Sequence, residues 1–207
     1  MGKCHRKRLE NKNNQIPFEG SLFKNVRMQK LSKFIYERLL GWNATGFKNF
    51  DSVKKAVLIA APHTSWHDFY IGVLLRSSLK LRSNFVGKKI LFNPLTGWFF
   101  RALGGAPVLR HANEKQVDAI ARLFENRTEF RMLLAPEGTR KKVTEWKTGF
   151  YYIAKTAKVP VIMLSFDFEN KENRFSEPFY PTDDIDADFK FMRAFFEGIK
   201  GKIPEFS

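Results

Sequence analysis

Hydrophobic and polar positions along this chain fall into two repeating patterns. Short apolar runs, which predict buried strands, occupy 55–61, 130–137 and 159–168. Apolar residues at helical spacing, which predict amphipathic helices, occupy 65–80, 149–158 and 184–200. Apolar strands that alternate with helices are typical of a mostly parallel, twisted sheet covered by helices on both faces. We therefore predict an α/β fold.

Weaker patterns fill the spaces between these elements. They predict a short strand at 84–89, an aromatic helical turn followed by a short strand within 92–110, a helix at 113–127 and an edge strand at 174–180. In a sheet of this kind, ligands bind beyond the carboxyl ends of the strands, so polar residues at those ends are the first candidates for a site.

The N-terminal region differs from the rest of the chain. Residues 1–20 are polar and basic and predict a flexible leader, 21–42 predict an amphipathic helix, and 43–207 predict the folded domain. The apolar positions of this helix are Phe23, Val26, Leu31, Phe34, Ile35 and Leu39, with basic residues between them. Such a helix either packs on the domain with a solvated basic face or lies in an anionic membrane interface.

Composition indicates a globular protein. Of the 207 residues, 43% are hydrophobic, and 22 are phenylalanine. The single cysteine, Cys4, forms no internal disulfide, the N-terminus does not resemble a signal peptide, and no run approaches the roughly 18 apolar residues of a spanning helix. These features predict a cytoplasmic protein.

The net charge of +15 is concentrated in residues 1–162, which carry 30 Lys and Arg against 11 Asp and Glu. A positive field of this kind attracts nucleic acid, anionic membranes, acidic carrier proteins and phosphate-bearing substrates. Nucleic acid is not expected, because the basic residues follow no helix-turn-helix or RNP-like pattern.

The stretch PHTSWHDF, at 62–69, has two interpretations. Ser65 and Asp68 fit a capping box at the start of a helix. Alternatively, Asp68 orients His63 as a general base, which requires His63 to lie before the helix and fold back over its first turn. His67 is a rival base, and His63 with His67 is a conceivable metal pair. We predict no metal, because no third ligand cluster is visible.

Two other stretches supply donors for an anion. In APEGTRKK, at 135–142, Gly138 permits a tight turn, and Thr139 and Arg140 are donors suited to phosphate. Further back, Gly104 and Gly105 allow a close backbone approach before Arg110, and Lys88 and Arg101 add positive charge. Taken alone, the APEGTRKK stretch is better read as a basic loop after a strand.

Together, these motifs resemble the glycerolipid acyltransferase family. The resemblance covers roughly residues 40–180, and the chain looks like a short 1-acyl-glycerol-3-phosphate acyltransferase. The motifs, in the family's order, are His63-x-x-x-x-Asp68, the block from Gly104 to Arg110, Pro136–Arg140, Lys147-x-Gly149 and Val159–Val161.

The resemblance implies roles for individual residues. His63 is expected to be the general base and Asp68 the residue that orients it. The residues expected to hold the acceptor's phosphate or glycerol are Glu137, Gly138, Thr139, Arg140, Arg110 and Lys88. The acyl donor is expected to be acyl-CoA or acyl carrier protein, with no cofactor. The protein is expected to be peripheral on the inner face of the membrane.

One departure from the family concerns Pro62, which stands where many members carry asparagine. With the short chain, it leaves the acceptor open among lysophosphatidate, another lysophospholipid and a lyso-aminolipid. Hydrolysis of the thioester by the same base acting on water remains an alternative, as does a basic membrane- or nucleic-acid-binding module without catalysis.

Overall fold

The computed structural model describes residues 26–87, 89–107 and 116–207, which form a seven-stranded sheet with helices around it. The strands are β1 (Asn43–Gly46), β2 (Lys55–Ala61), β3 (Asn84–Gly87), β4 (Gly105–Pro107), β5 (Phe130–Leu134), β6 (Val161–Ser165) and β7 (Glu172–Phe175). The α-helices are α1 (Val26–Lys33), α2 (His67–Ser78), α3 (Gly97–Ala102), α4 (Gln116–Glu125), α5 (Gly149–Ala157) and α6 (Ile185–Phe195).

The sheet is mostly parallel, as the sequence predicts. Its strand order is β1-β7-β6-β2-β5-β3-β4, and every neighbouring pair is parallel except β6 and β7. Two strands at one side, β1 and β7, therefore run opposite to the other five. The central strands β2, β5 and β6 are the most buried. Because they are parallel, their carboxyl ends point in the same direction and lie side by side.

Helices cover both faces of the sheet, which confirms the predicted α/β class. Because side chains alternate along a strand, Val57 and Ile59 pack in a cluster with residues of α4, α5 and α6. Ala56 and Leu58 point to the opposite face and pack in a second cluster with residues of α2 and with Tyr36. The short apolar runs of the sequence are therefore strands buried on both sides.

Strand β1 was not predicted, because its sequence NATG is short and has almost no apolar pattern. It pairs in parallel with β7 along its whole length, so β7 is an interior strand and the predicted edge strand at 174–180 is wrong in that respect. Phe179 still bridges Val161 in antiparallel fashion. The closing helix is also shorter than the predicted 184–200.

The predicted helix at 21–42 has a different form in its described part. Helix α1 is followed at once by a π-helical turn, Phe34–Leu39. The apolar side chains of Val26, Leu31, Phe34 and Leu39 are exposed, whereas Ser32 and Tyr36 are buried. The helix therefore packs on α2 with the opposite face from its apolar stripe.

Tyr36 fixes this region to the sheet. Its hydroxyl oxygen lies 2.8 Å from both the carbonyl oxygen of Asn43, in β1, and the Oδ1 atom of Asn173, in β7. No helix in the described part of the chain is long and apolar enough to cross a bilayer. Residues 1–25 lie outside the described residues, and the predicted leader and domain boundaries stay predictions.

Candidate active site

The candidate site lies beyond the carboxyl ends of two neighbouring parallel strands. Strands β2 and β5 pair with Ile59 opposite Leu134, and the chain continues a few residues further to His63 on one side and Glu137 on the other. Parallel pairing of these strands therefore brings together two motifs that are 74 residues apart in the sequence.

His63 and Asp68 are in direct contact. The Nδ1 atom of His63 is 2.8 Å from Oδ2 of Asp68, with the histidine side chain 28% exposed and the aspartate 3% exposed. Helix α2 begins at His67, so His63 precedes the helix and folds back over its first turn. Its other ring nitrogen, Nε2, has no hydrogen-bonding partner within 26–87, 89–107 and 116–207. With Nδ1 held by Asp68, Nε2 is the ring nitrogen that is left to contact a substrate group.

Asp68 also serves the start of the helix. The same Oδ2 atom accepts a hydrogen bond from the Ser65 backbone N–H at 3.0 Å. One buried carboxylate makes both the contact with His63 and one half of the predicted capping box, so the two interpretations are compatible. The N-cap residue of α2 is Trp66, however, and its side chain makes no capping hydrogen bond. Since the helix start fixes Asp68, it also fixes the position of the imidazole that Asp68 contacts.

His67 has other partners. Its Nδ1 lies 2.8 Å from the Ser65 hydroxyl, and its ring centroid lies 4.3 Å from that of Trp66. Among the residues that the structure describes, no three His, Cys, Asp or Glu side chains converge in a way that would hold a metal ion. The expectation of a reaction without a metal stays a prediction.

Glu137 contacts the backbone of the His63 loop. Both of its carboxylate oxygens lie 3.1 Å from the backbone nitrogen of His63 and accept a hydrogen bond from the same N–H group. Burial raises the pKa of the Glu137 carboxyl to about 7, although the His63 N–H bond and the His63 ring lower that pKa. The expected role of Glu137 in holding the acceptor stays a prediction, and sequence reasoning missed its contact with the loop.

The next three residues form an open turn. Gly138 has a φ of +66°, and Thr139 and Arg140 are exposed. A Cβ atom at Gly138 would lie 2.7 Å from Cε of Lys147, whose backbone N–H donates to the Pro136 carbonyl at 2.9 Å. The Arg140 guanidinium has no partner among the described side chains, so its donors are available to an anion.

Two predicted site residues, Lys88 and Arg110, lie outside the described residues, so their predicted roles stay predictions. The glycine pair before Arg110 does allow the expected close approach: a Cβ at Gly105 would lie 2.6 Å from the Phe85 ring. Gly104 has a φ of +82°.

A segment near residue 200 also supports the His63 loop, and no pattern in the sequence indicates this contact. The buried Thr64 hydroxyl accepts a hydrogen bond from the Ile203 N–H at 3.1 Å. A Cβ atom at Gly201 would lie 2.6 Å from both Cγ2 and Oγ1 of Thr64. A lone glycine 137 positions away carries no pattern that identifies this contact.

Curated relatives share part of this chain. It is 30% identical over 125 residues to the chloroplastic 1-acyl-sn-glycerol-3-phosphate acyltransferase BAT2 of Brassica napus, covering 58% of this chain and 35% of that protein. It is 28% identical over 128 residues to the chloroplastic 1-acyl-sn-glycerol-3-phosphate acyltransferase LPAT1 of Arabidopsis thaliana, covering 59% and 35%. The match thus spans about a third of the length of these relatives.

A solved structure has the same fold. The crystal structure of the 1-acyl-sn-glycerophosphate acyltransferase PlsC from Thermotoga maritima matches with a TM-score of 0.56 at 18% identity, covering 87% of this chain and 83% of that one. The family model for acyltransferases matches residues 42–167, which contain His63, Asp68 and 137–140. This match covers more than half of the sequence, and the chain belongs to the acyltransferase family.

Proposed function

We propose that this protein is an O-acyltransferase of phospholipid biosynthesis. It moves a fatty acyl group from an acyl thioester, either acyl-CoA or acyl carrier protein, to the hydroxyl of a lysophospholipid such as 1-acyl-glycerol-3-phosphate. The observation that carries this proposal is the 2.8 Å contact between His63 Nδ1 and Asp68 Oδ2 beyond the end of β2. The family membership and the names of the two plant relatives support it.

The proposed reaction is a substitution at the thioester carbonyl in which His63 first takes up a proton and later returns it. Nε2 of His63 takes the proton of the acceptor hydroxyl while the alcohol oxygen bonds to the thioester carbonyl carbon. When the tetrahedral intermediate collapses, the carbon–sulfur bond breaks and the thiolate leaves. The thiolate then takes the proton from His63, which regenerates the neutral ring and gives an ester and a free thiol.

Asp68 acts on this reaction through His63. A carboxylate at Nδ1 favours the tautomer whose proton is on Nδ1, and it stabilises the imidazolium that forms when Nε2 accepts a proton. We infer that Glu137 is a positioning residue as well, because its carboxylate contacts the backbone of His63 rather than the ring.

The acceptor's phosphate is proposed to bind at the open turn. Arg140 is exposed, has a planar fork suited to phosphate oxygens, and lies three residues after Glu137, which contacts the His63 loop. Thr139 adds a hydroxyl donor, and Arg110 and Lys88 are proposed to add charge. This arrangement puts the acceptor's anionic group on the β5 side of the site and its hydroxyl on the β2 side.

The protein is further proposed to work peripherally on the inner face of the cytoplasmic membrane. The apolar stripe of α1 and the following turn is exposed, which favours the membrane-interface interpretation of this helix over packing of the stripe on the domain. Basic residues beside the stripe, including Arg27, Lys30 and Lys33, suit an anionic lipid surface.

The decisive experiment is product analysis. Purified protein is incubated with an acyl thioester and with lysophosphatidate, other lysophospholipids and lyso-aminolipids in turn, and the lipids are identified by mass spectrometry. We expect a diacyl product with lysophosphatidate and an equal amount of free thiol. Free fatty acid in place of a diacyl lipid would support a hydrolase instead. Transfer to another lysolipid but not to lysophosphatidate would support acyl transfer and replace lysophosphatidate as the proposed acceptor. No acyl transfer with any acceptor and either donor would overturn the proposal.

A further inference from the structure

The segment between β3 and β4 exposes an unusual set of apolar side chains. Leu95 is 82% exposed, Ile90 75% and Trp98 68%. Leu95 and Ile90 are the two most exposed large apolar side chains in the described part of the chain. Isolated exposed apolar residues are common, but three within nine positions form a patch that indicates a binding surface. We call these three residues the apolar tip.

The apolar tip is held by ordered structure. The Asn93 side chain accepts from the Leu95 and Thr96 N–H groups at 2.9 Å each and donates to the Ile90 carbonyl at 3.1 Å. Gly97 packs closely below, since a Cβ there would lie 2.8 Å from the Phe92 backbone. Ile90 and Leu95 are therefore presented to solvent by a fixed turn, which lowers the entropy cost of binding through them.

A chain of aromatic rings connects the apolar tip to α2, the helix that contains Asp68. Trp98 contacts Phe99, Phe99 contacts Phe100, and Phe100 contacts Phe69, with centroid distances of 6.0, 5.6 and 6.4 Å. Phe69 follows Asp68 directly in α2 and is itself exposed, as is Trp66 just before that helix. The apolar surface thus reaches from the apolar tip to the turn that carries the proposed base.

The charge around the apolar tip selects its partner. Residues 69–113 contain seven Lys and Arg and no Asp or Glu. Of these cations, Arg76 is buried and Arg82 pairs with Glu129, whereas Arg101, in the same helix as Trp98, is exposed. Apolar side chains with a tryptophan among basic residues fit the interface of an anionic bilayer, where the side chains enter the acyl boundary and the cations stay at the headgroups. An acid-free stretch of this length favours a lipid surface over a protein partner of mixed charge.

We propose that the apolar tip inserts into anionic lipid and forms a second membrane contact, separate from α1. Helix α1 packs on α2, and the aromatic chain joins α2 to the apolar tip, so both contacts are tied to the helix that holds Asp68. Two contacts fix the orientation of the domain on the bilayer, which one helix alone does not. The proposal deepens the proposed function, and rests on it only for the identity of the lipid that the site consumes.

Insertion is tested with a single environment-sensitive probe. Because Cys4 is the only cysteine, Cys4→Ser with Leu95→Cys gives one site for an NBD label, and Cys4→Ser with Tyr180→Cys gives a matched control. Tyr180 is exposed and follows Phe179, which pairs with Val161, the first residue of β6. This position lies at the amino ends of the central strands, whereas the apolar tip follows the carboxyl end of β3. On phosphatidylethanolamine–phosphatidylglycerol vesicles we expect a blue shift and quenching by brominated chains for the Leu95 label only.

The energetic contribution is tested by vesicle sedimentation without donor or acceptor. Ile90→Ser, Leu95→Ser and Trp98→Ser together should weaken partitioning about tenfold or more, whereas Tyr180→Ser should not change it. Leu95→Ser alone should weaken partitioning less. Because the Leu95 side chain is exposed, this substitution should leave the protein folded, so misfolding would not account for a loss of partitioning. The His63→Ala variant should sediment like the parent, which separates this test from that of the reaction.

Two results would overturn the proposal. In the first, the protein sediments with anionic vesicles while the label at position 95 stays in water, which would leave α1 as the membrane contact. In the second, partitioning is equal for the parent and the triple variant, or equal on phosphatidylcholine and anionic vesicles. Two results together would support two separate contacts. One is a loss of partitioning in the variant Leu31→Ser with Phe34→Ser, and the other is a blue shift of the label at position 95 in the protein with an unchanged α1.

Discussion

The two loops of the site differ in how firmly the fold holds them. The His63 loop is fixed by the Asp68 carboxylate, by Glu137 on its backbone and by the Ile203 N–H on Thr64. The turn at 138–140, directly beyond Glu137, is exposed. The difference indicates a division of labour in which the fold orients the proposed base and leaves the proposed acceptor-binding donors to be ordered by the acceptor.

This comparison predicts two classes of variant. Changes in the fixed loop should lower kcat or stability, because they alter a geometry present before substrate binds. Changes in the open turn should raise the acceptor KM and leave the fold intact. The following four predictions test that separation, from the largest expected effect to the smallest.

The first prediction concerns the two histidines of PHTSWHDF. His63→Ala should lower kcat for acyl transfer by about a thousandfold, within the usual contribution of a general base. His67→Ala is the matched control and should stay within a fewfold of the parent, because its ring contacts Ser65 and Trp66. Steady-state release of free thiol measures both. A large loss in His67→Ala with little loss in His63→Ala would exchange their roles.

The second prediction concerns the stability of the fixed loop against pH. Burial raises the pKa of Glu137 to about 7 from an ordinary 4.5, so the folded protein holds this proton over a range where the unfolded chain has lost it. The free energy of unfolding should therefore fall as pH rises from about 5 to 7 by about 2 kcal/mol from this group. Glu137→Gln should remove that fall.

Urea unfolding at pH 5, 6, 7 and 8 measures this effect as the difference between the two proteins. The exposed Glu125 provides the matched control, and Glu125→Gln should keep the pH dependence of the parent. Identical curves for Glu137→Gln and the parent would mean that Glu137 is not buried as the structure has it.

The third prediction concerns the open turn. Arg140→Ala should raise the KM for lysophosphatidate about 10- to 150-fold with little change in kcat, because a charge-assisted contact with phosphate contributes roughly 1.5–3 kcal/mol. Lys142→Ala, also exposed two residues away, is the control and should change KM about twofold or less. A fall in kcat with an unchanged KM would place Arg140 with the fixed loop instead.

The fourth prediction concerns the contact between the His63 loop and the segment near residue 200. Gly201→Ala would place a Cβ atom 2.6 Å from the Thr64 side chain, which is buried. Displacement of Thr64 should cost about 1–2 kcal/mol of unfolding free energy and lower kcat a fewfold. Gly149→Ala meets nothing within 4 Å and should be neutral or slightly stabilising. Equal stability of both variants would contradict a support role for this segment.

Local patterns predicted much of the fold. The central strands were visible because they are buried on both faces and are therefore continuously apolar. Helix α2 was visible from its spacing, although it begins at His67, with Trp66 rather than Ser65 as its N-cap. Strand β1 was not, because NATG becomes a strand only through its pairing with β7 in the folded sheet. The apolar stripe of α1 was visible, but its direction was not, because that depends on which face meets α2.

The site divides in the same way. The pairing of His63 with Asp68 is local, so spacing identified the two residues and the geometry that they require. The contacts of His63 with Glu137 and of Thr64 with Ile203 join positions 74 and 139 residues apart and follow from strand order and packing, which one sequence does not encode as a local signal.

The most direct test of the central claim is the protonation pattern of the His63 ring. At alkaline pH, ¹⁵N NMR of the parent protein should show the proton on Nδ1, facing Asp68, and an unprotonated Nε2. The spectrum of His63→Gln identifies the signal by its absence. A proton on Nε2, or the mixture of tautomers of free histidine, would contradict a base oriented by Asp68.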